Sequence, residues 1–239
     1  DPFAVAGPVP DYLDACGQSI QGMRIAWSPT FGYARADSEI LEITERAARS
    51  FEQLGCHVEM VDAPFGDEPL DIWMSEFYGG VGTKLKGVLT ETPEQLDPAV
   101  VNLLSGALDY SIEDYFIKVF ERYAFRETVR EFFETYDLLL SPVLPVAAFD
   151  TNLNVPPGWE DRNSVSWVYY TYPFNITGQP AASIPVGFTE LSLPVGLQIV
   201  GQINSETDIF RAAAAFEEAY PWVDKRPTLN VSGASGADN

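Results

Sequence analysis

His57 is the only histidine in the chain, so a histidine-based nucleophilic site would have to be built around it. Such a site needs a nucleophile, a base and a group that orients the base. His57 instead sits beside Cys56 and Glu59 in a stretch that reads as a strand, and no G-x-S-x-G elbow presents a serine. Cys16 and Cys56 stand far apart with no CxxC, which argues against both a zinc site and a disulfide scaffold. The loop between Ser28 and Asp37 has neither a GxGxxG nor a P-loop glycine pattern. Carboxylates are abundant, but no spacing singles out a pair for acid–base work. No metal and no cofactor is expected.

The residues with a chemical setting of their own lie in the stretch 172–201, YPFNITGQPAASIPVGFTELSLPVGLQIVG. Two apolar runs, 181–186 and 195–200, each have the length of a buried strand and each follow a proline, Pro180 and Pro194. The second alternates, with Val195, Leu197 and Ile199 on one side and Gly196, Gln198 and Val200 on the other. The link between the runs is short enough for an antiparallel hairpin. Asn175-Ile176-Thr177-Gly178-Gln179 forms a polar turn delivered straight into the first run. Sheet ends beside such turns are where α/β proteins place their sites. A core hairpin with an ordinary turn is the alternative.

The elements that must hold this hairpin follow from the patterning. Residues 23–28 alternate as a strand. Asp37 is placed to cap a helix whose stripe is Ile40, Ile43, Ala47, Phe51 and Leu54, closed by Gly55. A second strand at 57–61 then implies parallel pairing. Helical stretches are expected at 69–90 and 93–106. Ser111 and Asp114 start a long aromatic helix reaching Tyr136, on which Arg122, Arg126 and Arg130 recur every four residues among glutamates. That ladder reads as a solvated salt-bridge face. A buried strand at 138–140 follows, then a long connection, 150–166, flanked by Trp159, Trp167, Tyr169, Tyr170 and Tyr172. These aromatics fit either a core or a pocket lining. A last helix starts near Ser205 and stops at Pro221. The fold class expected is α/β, a mixed β-sheet sandwiched between helices, in one domain over 1–226 with a disordered tail at 227–239.

NITGQPAASIPVGF followed by LPVGLQIVG resembles the C-terminal end of the amidase signature family. GMRIAWSP near residue 22, YDLLLSPVLPVAAF at 136–149 and FRAAAAFEEAYPW at 210–222 extend the likeness over nearly the whole chain. The resemblance implies the C-terminal half of an amidase-signature fold. Family members act on carboxamides with a lysine and two serines, one of them with a cis peptide. No Gly-Gly-Ser-Ser or Gly-Ser-x-Gly-Gly run is present, and Lys84, Lys86, Lys118 and Lys225 lie in other contexts. By the resemblance, the catalytic groups belong to an N-terminal half absent from this sequence, and no catalytic residue is assigned here.

What the resemblance assigns to this chain is part of the sheet and of the substrate pocket, with Trp167, Phe174, Asn175 and Thr177 as wall residues. Asn175 is expected to fix the turn and Phe174 to contact the acyl portion. Relatives that take ammonia from glutamine carry an acidic residue shortly before this turn. Here 167–171 reads WVYYT, which points to an apolar or aromatic amide. The expected partners are the missing N-terminal half and a small-molecule amide, with a homodimer as a further arrangement. A freestanding, non-catalytic binding module derived from the same fold is the alternative function.

Composition narrows the partners. Lys+Arg total 14 against 35 Asp+Glu, a formal net charge of −21. Such a surface repels nucleic acid and anionic membranes, so neither is expected as a partner. No apolar run approaches the roughly 20 residues of a bilayer span, and no signal peptide is recognised, so the expected location is the cytoplasm.

Overall fold

The computed structural model describes residues 7–107 and 109–226. The tail expected to be disordered, 227–239, lies outside the described residues. Helix α1 (Tyr12–Cys16) is capped by Asp11, whose carboxylate accepts from the Leu13 and Asp14 amides. Strand β1 (Arg24–Trp27) leads into α2 (Ser38–Gln53) and then β2 (His57–Met60). Gly55 follows the helix with φ +90°, a conformation that suits glycine, and lets the chain turn back for parallel pairing with β1.

The glycine-rich stretch expected as one helix breaks into pieces. They are α3 (Leu70–Trp73), a π-helical turn (Met74–Tyr78), α4 (Gly79–Lys84) and α5 (Lys86–Glu91). Gly79, Gly80, Gly82 and Gly87 weaken helix formation, so packing decides where each piece ends. A 3-10 turn at Pro93–Gln95 precedes α6 (Pro98–Ala107). Helix α7 (Ile112–Phe132) starts with the expected capping box between Ser111 and Asp114, and stops four residues short of Tyr136.

Strand β3 (Leu138–Pro142) is buried along its length. The long connection carries no helix or strand until α8 (Tyr172–Thr177). Strands β4 (Ala181–Phe188) and β5 (Pro194–Gly201) form the hairpin, and α9 (Glu206–Ala219) completes the described fold.

One five-stranded mixed sheet results, in the order β2-β1-β3-β5-β4. β1 pairs in parallel with β2 and β3, while β5 is antiparallel to β3 and β4. Side-chain alternation sorts the core into two layers. Ile25, Trp27, Leu138, Leu140, Leu197 and Ile199 pack against Ala47, Ala48 and Phe51 of α2 and Ile209, Ala212 and Phe216 of α9. On the other face, Ala26, Leu139 and Val200 meet an aromatic layer that includes Phe31, Phe65, Trp73, Phe125, Tyr170, Tyr172 and Phe174. α8 lies in that second layer.

Candidate functional site

Pro173 sits in the first turn of α8, where its missing N–H costs no helical bond. At the other end Gly178 takes φ +84° and donates its N–H to the Phe174 carbonyl at 2.8 Å. The segment 175–179, expected as an irregular turn, is therefore the last turn of a short helix with a left-handed exit. Pro180 then sets the chain into β4.

Three of the four residues expected to line a substrate wall share this helix. Asn175 is exposed. Thr177 is buried and donates its hydroxyl back to the Pro173 carbonyl at 3.1 Å. Phe174 is interior, with edge contacts to Phe31 at 6.1 Å and Phe65 at 6.0 Å. Trp167 stands apart. It is half-buried, its indole N–H donates to the Ser164 carbonyl at 3.1 Å, and its ring meets Phe149 edge-on at 5.5 Å. It forms one wall of an open apolar groove of about 630 Å³, together with Leu144, Leu153, Pro185 and Val195. None of the α8 residues lines that groove.

Beneath α8 the aromatic layer is tied by hydrogen bonds. Tyr170 donates to the Pro29 carbonyl at 2.7 Å, and the Gln198 amide donates to the Tyr170 carbonyl and to Ser141 Oγ at 2.8 and 3.0 Å. Tyr172 donates to Glu68, whose two oxygens meet the Arg162 guanidinium at 3.0 and 3.2 Å. The Tyr172 ring stacks on Trp73 at 5.1 Å. Burial, followed by the hydrogen bond to Glu68 and then its charge, raises the Tyr172 phenol well above its ordinary range, and burial does the same to Tyr170. Both stay protonated donors at neutral pH and tie together the layer beneath α8.

Burial, aided by Asp137, pushes the Cys56 thiol up to about 11. His57 is exposed on the edge strand β2. Among the described residues, no group of three or more His, Cys, Asp or Glu is placed to hold a metal ion.

Sequence reasoning missed the groups that hold α8. Arg122, placed on the solvated ladder, instead reaches the Ile176 carbonyl and Glu76. Only Arg130 behaves as the ladder predicts, bridging Glu127 and Glu134 at the surface. One signal for Arg122 existed. Pro180 lies four residues after Ile176 and has no N–H to offer its carbonyl.

The amidase family model matches residues 2–210. The chain belongs to the amidase signature family. An acylamidase of Rhodococcus erythropolis is 30% identical over 95% of this chain and 48% of its own length. An amidase of Pseudomonas putida is 25% identical over 98% of this chain and 50% of its own. Among solved family structures, a bacterial aryl acylamidase superposes with a TM-score of 0.83 at 26% identity, over 93% of this chain and 48% of that one. The chain thus spans about half the length of the family members it matches. The mixed sheet between helix layers is the family's architecture in this region.

Proposed function

We propose that this chain works as one portion of an amidase that hydrolyses carboxamides to a carboxylate plus ammonia or an amine. It contributes sheet and a substrate-pocket wall, and the lysine and serines that do the chemistry come from the family's other half. The observation that carries this is the superposition on an aryl acylamidase over nearly all of this chain but 48% of that enzyme. Of the residues assigned to that wall, Asn175 is exposed on α8, Phe174 and Thr177 are buried in the same helix, and Trp167 lies apart in the apolar groove. The apolar character of that groove and the absence of a carboxylate in 167–171 favour an apolar or aromatic amide.

Reconstitution tests the proposal. The chain alone should not turn over acetanilide-type or aliphatic amides. Combined with the catalytic half of an amidase signature enzyme, on one polypeptide or two, it should. Turnover by the purified chain alone, at a rate that survives repurification, would sink this division of labour. A complex that forms but hydrolyses no amide in a broad panel would favour a binding module.

A further inference from the structure

The Ile176 carbonyl has no donor within its own helix. It lies in the last turn of α8, where carbonyls have no intrahelical donor, and Pro180, four residues on, has no N–H to offer. The donor comes from 54 residues upstream, where Arg122 Nε of α7 lies 2.8 Å from the Ile176 oxygen. Nη1 of the same guanidinium is 2.6 Å from Glu76 Oε2, in the π-helical turn between α3 and α4. A cation at the carbonyl end of a helix has the favourable polarity. The Glu76 side chain is only 18% exposed, and its other oxygen is buried with no hydrogen-bond partner among the described residues. Its charge is therefore compensated through Arg122.

α8 depends on outside support. Six residues are far too few for a helix to persist by its own hydrogen bonds. Phe174 and Thr177 anchor its inner side, but the carbonyl end, where the chain turns into β4, is held by Arg122. An arginine suits the task because its planar fork serves two acceptors at once, whereas lysine offers a point charge.

We propose that Arg122 is a positioning residue for amide binding: it fixes the 175–179 turn at the carbonyl end of α8, and Glu76 orients its guanidinium. The binding part of this rests on the amidase function proposed above.

Three variants of the chain separate positioning from simple stability: R122M, R122K and R122M/E76M. In R122M, hydrogen exchange over 174–179 should quicken about tenfold or more relative to β3 and β5, and the melting temperature should fall. R122M/E76M removes the stranded carboxylate, so it should regain most of the melting temperature while exchange over 174–179 stays fast. R122K should lie between R122M and the native chain. In the chain assembled with a catalytic half, R122M and the double variant should both raise KM for the amide several-fold more than they lower kcat. Unchanged exchange over 174–179 in R122M overturns the tie. A double variant that restores exchange and KM along with melting temperature also overturns it, because Arg122 would then only neutralise Glu76. A native assembly with no turnover overturns the amidase function and the binding part with it, while the exchange result still decides the tie.

Discussion

Gln198 shows how much one side chain can join in this fold. It faces Ser141 across the β3–β5 ladder, and its amide reaches Ser141 Oγ and the Tyr170 carbonyl. Ser141 in turn donates to the Pro142 carbonyl at 2.9 Å. Gln198→Leu keeps the volume but leaves the Tyr170 carbonyl without this donor. It should cost about 1–3 kcal/mol in urea unfolding, with the slope unchanged. A loss below a few tenths would mean that water replaces the amide. The cysteines make a second residue-scale prediction. Cys56 is buried, its thiol donates to the Ile20 carbonyl, and its pKa is raised to about 11, while Cys16 is exposed. A thiol reagent at pH 7.5 should modify Cys16 alone in the native chain and both cysteines after unfolding. Two fast equivalents in the native chain would contradict the packing of Cys56 against α2 and α9.

At the scale of elements, α7 is the frame on which α8 hangs, and its start is set locally. Ser111 Oγ accepts from the Asp114 amide at 3.1 Å, and the Asp114 carboxylate accepts from the Ser111 amide and hydroxyl. Ser111→Ala should destabilise the chain by about 0.5–2 kcal/mol, read as a lower melting temperature. The Asp114 carboxyl is held below its ordinary value, mainly by the Ser111 hydroxyl and then its amide. A carboxyl with a lowered folded pKa adds stability above its unfolded value, near 3.8. That contribution is lost as pH falls through the lowered folded value. As pH falls from about 5 to about 2, Ser111→Ala should therefore flatten the acid dependence of the melting temperature. An equally steep dependence in the variant would show that other carboxylates dominate it.

At the scale of the whole molecule, a run of exposed apolar side chains marks the outer face of α7. Ile112, Phe116, Phe120 and Tyr123 recur at helical spacing and are 77, 47, 63 and 58% exposed. Phe116 and Phe120 touch at 6.2 Å, and Phe120 and Tyr123 at 6.5 Å, so the stripe is continuous. Contiguous apolar surface of this kind marks an interaction site on most folded proteins. The chain should bind a neutral hydrophobic dye such as Nile red; an anionic dye is a poor probe against a net charge of −21. Adding the catalytic half should displace the dye if that half covers α7. Displacement by raising the chain's own concentration instead would point to self-association through the stripe.

Local periodicity and turn residues were enough to place β1, α2, β2, β3, the hairpin and α9 close to their observed bounds, because each depends on neighbours within a few residues, although Asp37 and Ser205 stand at the helix starts without a side-chain cap hydrogen bond. The alternation of Leu197 and Ile199 against Gln198 and Val200 also foretold which side chains would share a face. The motifs around Asn175 and Pro180, taken together with those near residue 22, at 136–149 and at 210–222, were enough to indicate the family. Tertiary structure decided the rest. Residues 172–177 became a helix because the buried aromatic layer takes Phe174 and Tyr172 inward. Arg122 left the solvated ladder because the Ile176 carbonyl and Glu76, distant in sequence, meet it in space. Trp167 was separated from α8 because the long connection carries it to the groove beside β4 and β5. A periodic pattern records which side of an element is apolar. It does not record which distant carbonyl will lack a donor once the chain has packed, and here that is what selects the residue that holds α8.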